Sequence, residues 1–134
     1  MKREIKFRAY SSHNNKMYPV NNIEWDIDGR IWVTADDGKN GIELIDEEAH
    51  LMQYVGLHDK NGQSIYEGDV LDIGLRNQDG KPVIAPVSYE TYAAGYVLDN
   101  GGNGIWQRLT KDCEVIGNVW EDGDLLDGKD SKTN

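Results

Sequence analysis

Apolar and polar residues alternate with a period of two along most of this chain, the signature of half-buried β-strands. Ile5, Phe7 and Ala9 alternate with Lys6, Arg8 and Tyr10, and the polar cluster at 11–16 predicts a turn back into Met17–Val20. Pro19 has no N–H to donate, which predicts an edge position for that returning strand. The clearest local signal is Asp28-Gly29 between two strand-like runs. A two-residue hairpin turn there pairs Ile27 with Arg30, Trp25 with Trp32 and Ile23 with Thr34. The two indoles then face each other across the strands, and a covered core face is their expected setting; an exposed recognition platform is the alternative.

Residues 42–52 fit two patterns at once. Leu44, Ile45, Glu48, Leu51 and Met52 have the spacing of one or two turns of amphipathic helix, while the ends of the segment read as strand. Further strand-like runs follow, separated by turns at Asn61-Gly62, at Gly68-Asp69 and in the loop 76–82. A Tyr-rich strand pair is expected within 83–98, and 105–109 and 113–121 complete the sheet, with Gly117 as a bend or bulge. Many short strands at regular turn spacing predict a mainly β protein, a small barrel or sandwich, with at most one short helix. We divide the chain into an N-terminal hairpin region (1–50), a second β region (51–126) and a tail (127–134) that has nothing to bury and is expected to be disordered.

The chain has 134 residues, long enough for a real core, and a formal net charge of −10 with 14 basic residues. Neutralising several phosphates needs clustered Lys and Arg, and the densest basic run is only Lys2, Arg3, Lys6 and Arg8. Nucleic acid is therefore a disfavoured partner. The charged N-terminus is unlike a signal peptide, and no apolar run reaches bilayer length, so a cytoplasmic location without membrane contact is expected. Cys113 is the single cysteine, opening an apolar strand in the manner of an inert, partly buried thiol.

Chemistry-bearing patterns are weak. His13, His50 and His58 share no ligand spacing with one another or with Cys113, so no zinc site is expected. Asp36, Asn40, Gly41 and Glu47 fall at positions 1, 5, 6 and 12 of a calcium loop, but Gly38 and Glu43 break the pattern at positions 3 and 8. A polar hairpin turn accounts for the segment better. The glycine-rich stretch at 99–104 precedes a strand, not the helix that a phosphate loop requires. We expect no catalytic residue, no metal and no cofactor, hence no enzyme. Tyr89, Tyr92, Tyr96 and Trp106 are the candidate interface residues, with a role as barrel filling as the rival account.

Two segments carry a resemblance. Residues 51–71, LMQYVGLHDKNGQSIYEGDVL, and residues 113–126, CEVIGNVWEDGDLL, resemble the signature and closing motifs of the YopX family of phage and prophage proteins. The opening KFRAY with Met17 downstream fits the same pattern. Val55, His58 and Trp120 depart from it, and 72–112 match loosely. The resemblance implies a β-rich fold with an SH3-like barrel, placed here in 51–126, and a phage or prophage setting. It supplies no catalytic residues. Taken with the missing catalytic patterns and the acidic charge, it leads us to expect a non-enzymatic accessory protein acting through contact with protein, either a second copy or a phage or host protein, with a nucleic-acid-binding small β-barrel as the alternative.

Overall fold

A computed structural model describes residues 4–36, 38–39, 41–99, 106–107 and 112–123. The described chain is mainly antiparallel β-structure, and no helix in it is long and apolar enough to cross a membrane. It divides into two compact units, residues 1–54 and 55–134.

The first unit contains β1 (Phe7–Ser11), β2 (Lys16–Trp25), β3 (Ile31–Asp36) and β4 (Gly41–Ile45), and β5 (Ala49–His58) runs on from it into the second. These strands stand in the order β4-β3-β2-β1-β5, with β6 (Ser64–Tyr66) hydrogen-bonded beside β5. Ala9, Val33 and Leu44 are fully buried and form the unit's centre, with Val20, Ile31, Ile42, Ala49 and Leu51 packed around them. The alternation that predicted β1 is present: Ala9 and Ser11 are buried, and Phe7 is partly so.

Two expectations change here, and the helical turn read within 42–52 is reduced to its shortest form. β2 is not an edge strand, since it pairs with both β1 and β3. Pro19 is tolerated because it lies opposite Arg8 of β1, while the ladder to β3 begins only at Val20. Residues 42–52 form strand on either side of one 3₁₀ turn at Asp46–Glu48, because Leu44 and Met52 are each buried within strand ladders. The hairpin register is shifted by one residue: Trp25 pairs with Ile31, Glu24 with Trp32 and Ile23 with Val33. A one-residue slip moves a side chain to the other face of the sheet. Trp25 and Trp32 are therefore not a facing pair, and Trp25 is 66% exposed instead of forming core.

The second unit is built on β7 (Asp69–Arg76), β8 (Pro82–Glu90), β9 (Gly95–Asp99), β10 (Trp106–Gln107) and β11 (Glu114–Asn118), in the order β10-β9-β8-β7-β11. Ile65, Leu71, Ile73, Ala85, Val87, Leu98 and Cys113 are its buried core. Gly117 does mark a bulge, since the ladder steps from Val115↔Leu71 to Gly117↔Val70 and leaves Ile116 extra. The barrel expected for 51–126 is not closed. Closure requires the outermost strands to share a ladder, and among the described residues β10 pairs only with β9 and β11 only with β7. The mainly β class holds, as two open antiparallel sheets. The disordered tail expected at 127–134 lies outside the described residues.

Candidate functional site

The end of the β2–β3 hairpin is organised by one carboxylate. A three-residue loop, Ile27–Gly29, is closed by Asp26 N–H donating to Arg30 O and Gly29 N–H to Asp26 O, both at 3.0 Å. Gly29 takes φ of 83°, the left-handed position such a loop needs. Asp26 Oδ1 accepts the N–H groups of Asp28 and Arg30 at 2.9 Å, and Oδ2 accepts Arg30 Nε at 3.0 Å and the Trp32 indole N–H at 2.9 Å. This capping of an asparagine-like turn is what sets the longer loop and the shifted register.

Its consequence is a surface. Glu24, Trp25, Asp26, Trp32 and Glu43 line a shallow depression of ≈ 260 Å³. Trp32 is half-buried and held by its indole N–H, while Trp25 is largely exposed and Ile27 wholly so. Glu24 Oε1 accepts Asn22 Nδ2 at 2.9 Å. The Trp32 indole, with the Arg30 and Asp28 donors, outweighs the opposing effect of burial and lowers the Asp26 carboxyl from 3.8 to about 2. A folded-state value below the unfolded one stabilises the hairpin above pH 3.8, and that contribution is lost as pH falls through about 2. Carboxyl ¹³C titration by NMR should place the Asp26 midpoint at about 2, and a Trp32→Phe variant, lacking the indole donor, should move it upward. An unperturbed midpoint in the native protein would refute this account of the turn.

The candidate aromatics gather on the other unit. Tyr89 of β8 and Tyr96 of β9 are direct cross-strand partners. Their rings meet edge to face, with centroids 5.4 Å apart and planes at 76°. Tyr92 lies in the 3₁₀ turn Thr91–Ala93 that joins the two strands, and Ala94 completes the reversal at φ 49°. Tyr89 and Tyr92 are 49% and 64% exposed, whereas Tyr96 packs partly against the core. Trp106 lies on β10 opposite Asp99, and its side chain is outside what is described. Three of the four are thus brought to one hairpin end.

The two motif segments are joined, and what joins them is structural. Asp59 Oδ1 accepts Asn61 and Gln63 N–H, and its Oδ2 accepts Val115 N–H, each at 2.9 Å. Gly68 takes φ of 88°; its N–H donates to Val87 O and its carbonyl accepts Val119 N–H. Asn118 Oδ1 accepts the N–H groups of Trp120 and Glu121, closing the turn after β11 on itself. Buried Asp69 accepts Tyr66 N–H at 2.8 Å. These residues hold backbone.

Asp36 Oδ1 accepts Gly38 N–H between β3 and β4, so the calcium-like segment forms a strand hairpin with no flanking helix. No group of three or more His, Cys, Asp and Glu side chains that could hold a metal occurs among the described residues. Cys113 is fully buried in the second core. Sequence reading missed the Glu24–Trp32–Glu43 depression because it exists only in the shifted register.

Comparison with known proteins gives two positive findings. The family model described as YopX protein matches residues 6–127. The crystal structure of protein EF1440 from Enterococcus faecalis aligns with a TM-score of 0.64 over 94% of this chain and 100% of that one, at 20% identity. At that identity the likeness concerns the fold. No curated protein matches the chain.

Proposed function

We propose, from the fact that the chain belongs to the YopX family, that it is a non-enzymatic accessory protein of a phage or prophage, acting in the bacterial cytoplasm through protein–protein contact. The observation that carries this reading is the placing of exposed aromatic and aliphatic side chains at hairpin ends: Trp25 and Ile27 on the first unit, Tyr89 and Tyr92 on the second. Scattered apolar residues are ordinary on a surface. Tyr and Trp gathered at a strand turn are more informative, because they supply large contact area at low entropic cost and are enriched in interface centres. The SH3-like arrangement implied by the resemblance belongs to this proposal as well, supported by the five antiparallel strands of the second sheet and without a closed ring.

The test is affinity capture of tagged full-length protein from phage-infected or induced cells, with proteins and nucleic acids both identified. The expected result is a specific protein partner or a second copy, lost on Tyr89→Ser/Tyr92→Ser or Trp25→Ser substitution. A lone monomer that captures no protein overturns the reading. Recovery of nucleic acid instead, with a salt-dependent mobility shift, would replace it with single-strand binding.

A further inference from the structure

We propose that the depression at the end of the β2–β3 hairpin receives an arginine side chain from a basic segment of the partner protein. The inference rests on the protein-contact reading above and names the chemistry of one contact. Trp32 sits on β3 opposite Glu24 of β2, and its neighbour Thr34 sits opposite Glu43 of β4, so two carboxylates flank the indole on adjacent strands of one face. Neither glutamate forms an ion pair among the described residues; the nearby Arg30 is already committed to Asp26 and Asp28.

The indole is held in advance. Its N–H is spent on Asp26 Oδ2 at 2.9 Å, which fixes the half-buried ring where it lines the depression. Asp26 in turn has both oxygens occupied by four donors, so it serves as a positioning group and not as a free charge. An aromatic face between two carboxylates without cationic partners suits a cation. A guanidinium suits it better than an ammonium, because it is planar, stacks on indole and donates to carboxylates in a fork. The exposed neighbours Trp25 and Ile27 give a bound segment further apolar area, which a free small cation would not use. With the ring already oriented, less ordering entropy opposes binding.

The experiment uses ¹⁵N-labelled full-length protein titrated with a capped hexapeptide carrying two arginines, and with its lysine and citrulline analogues. The arginine peptide should shift the indole N–H resonances of Trp25 and Trp32 in a saturable way, the lysine peptide should bind several-fold more weakly, and the neutral citrulline peptide should leave both in place. Glu24→Gln/Glu43→Gln should weaken the arginine peptide about tenfold or more. Glu47→Gln/Asp79→Asn, an equal change of charge at exposed positions elsewhere, should stay within about twofold. Equal losses in both double variants would reduce the effect to bulk attraction by an acidic protein and overturn the proposal. So would equal binding of the lysine peptide, or shifts confined to the Tyr89–Tyr92 hairpin. If Glu24→Gln/Glu43→Gln still captures the same cellular partner as the native chain, the arginine contact fails while the protein-contact reading stands. If the native chain captures no partner, the broader reading fails.

Discussion

Leu71→Ala should lower the stability of the second unit by about 3 kcal/mol, within the usual 2–5 for truncating a buried Leu. Leu71 is fully buried, and β7 holds it between Ala85 of β8 and Val115 of β11. Small and β-branched neighbours on both sides cannot swing in to fill the space, so the cavity cost adds to the lost transfer energy. Amide exchange across β7, β8 and β9 under denaturant titration gives the readout for this unit alone. Ile116→Ala provides the contrast: Ile116 is the extra residue of the β11 bulge and 39% exposed, so its truncation should cost less than about 1 kcal/mol. A Leu71→Ala protein as stable as Ile116→Ala would mean the second unit is not packed around β7.

Which features were legible in the sequence follows from the range of the interactions that set them. The strand at Phe7–Ser11, the bulge beside Gly117 and the Tyr-rich pair Pro82–Glu90 and Gly95–Asp99 could be read because alternation and turn chemistry are local. The helical turn read within 42–52 is there as one 3₁₀ turn at Asp46–Glu48, and it goes no further because Leu44 and Leu51 are held in strand pairing on both sides. The hairpin failed by one residue for a specific reason. Asp28-Gly29 favours a two-residue turn on backbone grounds, but Asp26 can cap a longer loop through four side-chain bonds, one of them to an indole six residues on. That slip exposes Trp25 and brings Glu24 beside Trp32, so the depression was hidden by the same error. The ring closure implied for 51–126 was a matter of which distant strands share a ladder, and no local pattern specifies that.

The second large effect is expected at Asp59, whose role is also invisible in a linear reading. It looks like an ordinary turn residue before Asn61-Gly62, and its Oδ1 does accept the N–H groups of Asn61 and Gln63. Its Oδ2 reaches Val115 N–H, 56 residues away, and Lys60 N–H donates beside it to Cys113 O at 3.0 Å. One 6%-exposed carboxylate thus fastens the Asp59–Gln63 turn to the start of β11. Asp59→Ala leaves three N–H groups without their acceptor and should cost about 2–4 kcal/mol. Asp59→Asn keeps shape and one acceptor oxygen. It nonetheless turns an NH₂ toward the Val115 N–H, donor against donor, and should cost about 1–3 kcal/mol. The pH dependence separates charge from shape. Burial pushes the Asp59 carboxyl up, but the N–H groups of Val115, Gln63 and Asn61 together with the Lys60 charge outweigh it, and the net shift is downward from 3.8. The unfolded chain therefore takes up this proton first as pH falls, so the stabilisation is complete above pH 3.8 and is lost as pH drops through the lower folded-state value. The stability gap between native protein and Asp59→Asn should be constant near neutral pH and shrink below 3.8. An Asn variant equal to the native chain at neutral pH, or a gap that persists unchanged in acid, would show that β11 is held by its ladder to β7 alone.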